Sequence, residues 1–233
     1  MIKSLLRVAR REFTFRMGGF RPSIEKVGEA KYLGSVYGGW PVIPSLINAD
    51  SIIYSFGVGQ DISFDLAMIE LFHCKVQAFD PTPICKEWIS QQSLPPKFFF
   101  HPIGVAGQDG TITMYLPIVE GSVSCSEQQT SRIQSSVQVP VQRVETIMRE
   151  QNDAHIDVLK MDIEGSEIGV IDDLIKTLIR PGQLLVEFHH RINRSGIATT
   201  KRSVGLLQSV GYQLFHVSEL GDEFSFVHRS RLR

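Results

Sequence analysis

From residue 51 onward, short apolar runs alternate with helically spaced segments, and three of the runs stop directly on a glycine or an acid. This rhythm constrains the fold more than any other feature of the chain. Ser51 to Phe56 is apolar and β-rich and ends at Gly57 and Gly59. Phe64, Ala67, Met68 and Leu71 then recur at helical spacing within Ile62 to Phe72, with Asp61 or Ser63 available as cap. Lys75 to Phe79 is a second strand closed by Asp80, and Thr82–Pro83 caps and opens a helix through Trp88. Lys97 to His101 is a third strand, Val144 to Glu150 a short helix, and Ile156 to Met161 a fourth strand ended by Asp162. A helix over Ser166 to Ile179 stops at Pro181–Gly182, and Gln183 to Phe188 forms a fifth strand. Thr199 to Val210 is helical with Gly211 as its C-cap, and Tyr212–Val217 with Phe224–His228 reads as a hairpin.

Strand–helix units of about 25–30 residues predict an α/β fold with a doubly wound, mostly parallel seven-stranded sheet. The closing hairpin adds an antiparallel element at its C-terminal end. At 233 residues the chain fits one large domain, residues 36–233, with a helical, basic N-terminal extension over 1–35. Thr111 to Leu116 is an extra strand. The Ser- and Gln-rich stretch from Gly121 to Ser136 reads as a loop or insertion, placed at about 117–138.

A doubly wound sheet binds its ligand beyond the carboxyl ends of its strands, where the strand order reverses. The residues at those ends are therefore the candidates. Gly57 and Gly59 either let the backbone approach a ligand closely or simply make a tight turn. A dinucleotide fold wants a third glycine three residues on, and Ile62 stands there. Asp80 can accept hydrogen bonds from two ribose hydroxyls, or can initiate the turn into Pro81. After the fourth strand come Asp162, Glu164 and Glu167. Asp162 and Glu164 are candidates for metal binding, for holding an ammonium group, or for base chemistry, and Glu167 is read as a helix cap alone. The fifth strand ends at Glu187-Phe188-His189-His190-Arg191. His189 is the preferred base, because adjacent residues on an extended segment point oppositely, and Glu187 with Arg191 is expected to contact the substrate.

Charge narrows the partners. With 24 Lys plus Arg against 25 Asp plus Glu, the net charge of −1 offers no field for nucleic acid, and no Asn- or Asp-Pro-Pro-Tyr motif follows the fourth strand. Three cysteines without a CxxC spacing indicate neither a disulfide framework nor structural zinc. No apolar run reaches the ~18 residues of a membrane span. In residues 1–16 basic side chains interrupt every apolar run, so a helix packed on the domain is expected rather than a signal peptide, and a cytoplasmic location with it.

Several segments together resemble the class I, S-adenosylmethionine-dependent methyltransferases, and more narrowly the FkbM-type family. They are Tyr54–Asp65 (YSFGVGQDISFD), Ala78-Phe79-Asp80-Pro81, Gly104-Val105-Ala106-Gly107 with Asp109-Gly110, and above all LKMDIEGSE at Leu159–Glu167 followed by Glu187-Phe188-His189. The resemblance implies S-adenosylmethionine as cofactor and O-methylation of a hydroxyl on a sugar, glycan or secondary metabolite. It places Gly57, Gly59 and Asp61 by the methionine part, Asp80 on the ribose, and Ile103 and Gly104 beside the adenine. Asp162 and Glu164 would lie between cofactor and acceptor. Tyr37-Gly38-Gly39-Trp40 would cover the methionine end or fill the core. The base is His189, Asp162 or Glu164, and a divalent metal on the carboxylates is the remaining option. A nucleotide-sugar oxidoreductase on the same sheet, or a cofactor-binding but inactive scaffold, are the competing readings.

Overall fold

The computed structural model describes residues 2–17, 20–117, 133–190 and 196–232. Its centre is a seven-stranded sheet in the order β11-β12-β10-β9-β3-β4-β5. The strands are β3 (Ile52–Phe56), β4 (Lys75–Phe79), β5 (Phe98–His101), β9 (Val158–Met161), β10 (Gln183–Glu187), β11 (Tyr212–Val217) and β12 (Glu223–His228). β3, β4, β5, β9 and β10 run parallel, and β12 is antiparallel to both β10 and β11. This is the doubly wound, mostly parallel architecture expected from the sequence, with the C-terminal hairpin at one edge.

The chain starts in the middle, moves outward through β4 to β5, then returns to the other side of β3 as β9. The order therefore reverses between β3 and β9. There Phe56 pairs with both Phe79 and Met161, so Gly57, Asp80 and Asp162 come level at the top of the sheet.

Both faces are covered, which is why the central strands read as largely apolar runs. Side chains alternate between two cores: Tyr54, Phe56, Phe79, Leu159, Met161, Leu184 and Val186 pack in one, and Ile53, Val76, Ala78, Val158 and Leu185 in the other. The helices between the strands are α2 (Ser63–Phe72), α3 (Pro83–Ser90), α4 (Val144–Gln151), α5 (Glu167–Lys176) and α6 (Gly196–Ser209). Thr82 caps α3 as expected, its side chain accepting from the Cys85 N–H. α5 stops at Lys176, short of the expected Ile179, because Leu178 has turned to the left-handed φ of 60° ahead of Pro181.

Two further pieces border the top of the sheet. β1 (Lys31–Leu33) and β2 (Trp40–Val42) form a small ribbon, and β6 (Gly104–Val105), β7 (Gly110–Pro117) and β8 (Ile133–Gln142) form a three-stranded sheet. β8 begins inside the stretch read from sequence as loop, and residues 118–132 lie outside the described residues. The reason lies in its pattern: Val137, Val139 and Val141 alternate with polar or proline neighbours and turn inward.

At the N-terminus α1 (Ile2–Met17) packs on the β11–β12 hairpin. Phe15 is buried against Phe20 and Phe224 at ring separations of 5.3 and 6.2 Å, and the Arg11 guanidinium donates to the Ser218 carbonyl. Among the described residues no helix is long and apolar enough to cross a membrane.

Candidate active site

The glycine turn after β3 is dictated by a close approach. Gly57 has φ 72°, and a Cβ there would lie 1.7 Å from the Asp162 carbonyl oxygen, so no other residue fits. Gly59, also at positive φ, donates its N–H to Asp80 Oδ2 at 3.0 Å. Asp80 Oδ1 accepts from the Thr82 N–H and hydroxyl at 2.9 and 2.5 Å. The turn after β4 thus fixes a nearly buried carboxylate on the wall of the cleft. An ionised carboxylate has about four acceptor positions, so Asp80 keeps capacity for a ligand.

Asp61 ties the β1–β2 connection over this turn. Its Oδ2 accepts from the Ser35 hydroxyl at 2.6 Å, and Ser35 Oγ accepts in turn from the N–H groups of Tyr37 and Gly38. Burial raises the proton affinity of Asp61, but the hydrogen bonds from Ser35 and Ser63 outweigh it and hold its pKa below the ordinary value. Tyr37 and Trp40 both reach the cleft and differ in kind: Trp40 is buried in the core and Tyr37 is 78% exposed at the mouth.

The acidic end is built by the turn from β9 into α5. β9 stops at Met161, so strand alternation no longer sets where the carboxylates point. Instead Glu164 takes the left-handed φ of 54° and Gly165 follows at 124°, folding the segment back. Asp162, Glu164 and Glu167 then converge on His189, just past β10. The His189 Nδ1 is bonded to Glu167 Oε1 at 2.5 Å. Its Nε2 lies 3.4 Å from Glu164, 3.6 Å from Asp162 and 3.9 Å from Glu187. Burial works against charge on this imidazole, but the bond and charge of Glu167, followed by Glu164 and Glu187, raise its pKa well above the usual range. Burial raises the pKa of Asp162, and burial followed by the Asp162 charge raises that of Glu187. The Lys160 ammonium, buried beneath, donates to the Gly57 carbonyl at 2.8 Å.

These groups line one cleft of about 570 Å³. Gly57, Gly59, Asp61, Asp80, Gly104, Asp162, Glu164, Glu187 and His189 all face it. Ile103 does not line it and packs against the core instead. His190 turns away toward α6, and Arg191 lies outside the described residues. Glu167 does more than open a helix: it is 2% exposed and holds the imidazole, a role its position as the first residue of α5 does not reveal. Sequence reading also missed the apolar wall of Ile112, Met114 and Val141 from the β6–β8 sheet, together with Arg7 and Glu223 at the rim. Asp162, Glu164 and His189 together offer ligand atoms within 4.8 Å of one another.

The methyltransferase FkbM domain model matches residues 48–214, which include every strand of the central sheet up to β11. The chain belongs to the FkbM methyltransferase family. Among solved structures, the methyltransferase FkbM from Methylobacillus flagellatus KT is 14% identical, with a TM-score of 0.49 over 78% of this chain. This FkbM chain spans 44% of that protein's length. The fibrillarin pre-rRNA processing protein of Methanococcus jannaschii is 12% identical, with a TM-score of 0.48 over 88% of this chain and 84% of its own. Aeropyrum pernix fibrillarin, solved with natively bound S-adenosyl-L-methionine, is 8% identical, with a TM-score of 0.43 over the same shares. No curated protein matches the chain.

Proposed function

We propose that this FkbM-family chain transfers a methyl group from S-adenosylmethionine to a hydroxyl of a small molecule or glycan. The observation that carries the reading is one cleft with two chemically distinct ends: a bare glycine turn beside the fixed Asp80 carboxylate, and the acid-ringed His189. The residues fit the cofactor. Asp80 has acceptor capacity for ribose hydroxyls, Gly57 and Gly59 leave backbone where a side chain would obstruct, and Gly104 with Pro81 offers a flat border for a base. The acidic surroundings favour a cationic sulfonium. When bound, the cofactor supplies an already activated methyl group.

The protein's task is then placement and proton removal. In-line placement contributes on the order of 7–11 kcal/mol, and a positioned base about 10²–10⁴-fold. Asp162, Glu164 and His189 are the proposed catalytic set. With four carboxylates around it, His189 keeps its proton and acts as a charged donor, so the acceptor proton goes to Asp162, whose basicity burial raises. Glu187 is proposed to contact the acceptor.

The test is transfer of labelled methyl from S-adenosylmethionine to a panel of sugars, glycosides and polyhydroxylated metabolites. The wild type should label at least one hydroxyl. His189→Ala should lower kcat about 10²-fold or more while leaving affinity for S-adenosylhomocysteine unchanged. Full turnover in that variant removes His189 from the catalytic set.

A further inference from the structure

We propose that the outward face of α1 docks on an anionic lipid bilayer, the helix lying in the headgroup region. This docking does not depend on the proposed methyl transfer.

The helix has two apolar faces where its seat on the domain needs one. The inner face is Phe15, buried against Phe20 and Phe224, with half-buried Val8 two turns earlier on the same side. At about 100° per residue, Leu6 and Phe13 lie within about 20° of each other and roughly 160–180° around the axis from Phe15. They are 64% and 66% exposed, and Ala9 beside them is exposed too. A helix packed on a globular domain ordinarily turns charged and polar residues to that side. Large apolar side chains that share one outward face and are left in water by the fold mark an interaction surface.

Charge selects the occupant. Residues 2–17 hold five basic residues and one acid, Glu12, a balance of +4 in a chain whose total is −1. Arg11 is committed to Glu12 and to the Ser218 carbonyl, and Glu12 is already set against it in that balance. The field comes from the helix as a whole rather than from any one unpaired side chain. An apolar face on a basic helix suits a lipid interface, where Leu and Phe enter the acyl boundary and the basic residues meet anionic headgroups. A second copy of this chain fits less well, because it would bring one basic helix against another. At 16 residues with charges along its length, α1 lies on such a surface and does not cross it. Arg7 on the same helix lines the mouth of the cleft, where Val36 and Tyr37 are also exposed, so docking sets that mouth beside the headgroups.

Flotation of the full chain with lipid vesicles tests the docking. One set is phosphatidylcholine alone, and the other contains roughly a third phosphatidylglycerol. The wild type should rise with the anionic vesicles, stay behind with the neutral ones, and lose most of its binding between about 0.1 and about 0.5 M salt. Leu6→Ser combined with Phe13→Ser should weaken partitioning about tenfold or more, and Arg7→Gln several-fold at the lower salt only. Circular dichroism melts should show both variants folded like the wild type, since the altered side chains are exposed. Failure of the wild type to bind anionic vesicles overturns the proposal, as does equal binding to both vesicle sets or unchanged partitioning of the double variant. Sedimentation without vesicles should give a monomer. A dimer that the double variant dissolves would assign this face to a second copy and overturn the lipid reading.

Discussion

Asp80 shows how one side chain serves fold and site together. Its oxygens brace the Gly59 and Thr82 N–H groups, and the carboxylate still lines the cleft. Asp80→Ala should weaken S-adenosylhomocysteine binding at least about tenfold, the loss of roughly one charge-assisted hydrogen bond. Asp80→Asn, which keeps the shape, should fall between. Calorimetry reads both, and unchanged affinity in Asp80→Ala would remove the ribose assignment. Glu223 at the rim carries a pH dependence. Burial, then the charges of Asp222 and Asp162, push its pKa up to about 7. The folded state holds this proton more tightly than the unfolded chain, so the stability it contributes is full below about 4.5 and is lost as pH rises through about 7. Glu223→Gln should therefore raise Tm by a few degrees at pH 8 and leave it nearly unchanged at pH 4.5. A melt series across that range checks it, and an effect of equal size at both ends would contradict the assignment.

At the scale of elements, the strands were the most legible part of the sequence and the turns after them the least. A parallel strand buried on both faces appears as an apolar run bounded by glycine or acid, and β3, β4, β9 and β10 all do so. The meeting of Glu167 with His189 is different in kind. The two are far apart in sequence, and only the parallel pairing of β9 with β10 and the left-handed turn at Glu164 bring them together. Nothing in local periodicity encodes that turn, because Glu164 is not a residue that favours it. β8 lay within reach, since its valines alternate, but its Ser- and Gln-rich start masked the pattern. For residues 1–16 the sequence offered only the expectation of a helix packed on the domain, without saying where it docks. Phe15 supplies that answer, being 3% exposed on the β11–β12 hairpin. Phe15→Ala should destabilise the chain by about 2–4 kcal/mol, read by urea melts, as expected for a large side chain removed from a packed surface. A change below about 0.5 kcal/mol would mean that α1 is not held there.

For the whole molecule, the sheet order determines where chemistry can happen. Reversal between β3 and β9 leaves a crevice at the top of the sheet, and the β1–β2 ribbon and the β6–β8 sheet wall it. That Gly57, Gly59 and Asp80 would line this cleft was legible in advance, because they sit immediately after strands. The apolar wall was not, since Ile112, Met114 and Val141 belong to a sheet outside the alternating pattern. The most direct test of the account is calorimetric titration of the full chain with S-adenosylhomocysteine, with NAD⁺ and NADP⁺ run in parallel. The account predicts saturable binding of one S-adenosylhomocysteine per chain and none of either dinucleotide. Binding of a dinucleotide in its place, or of none of the three, would contradict it.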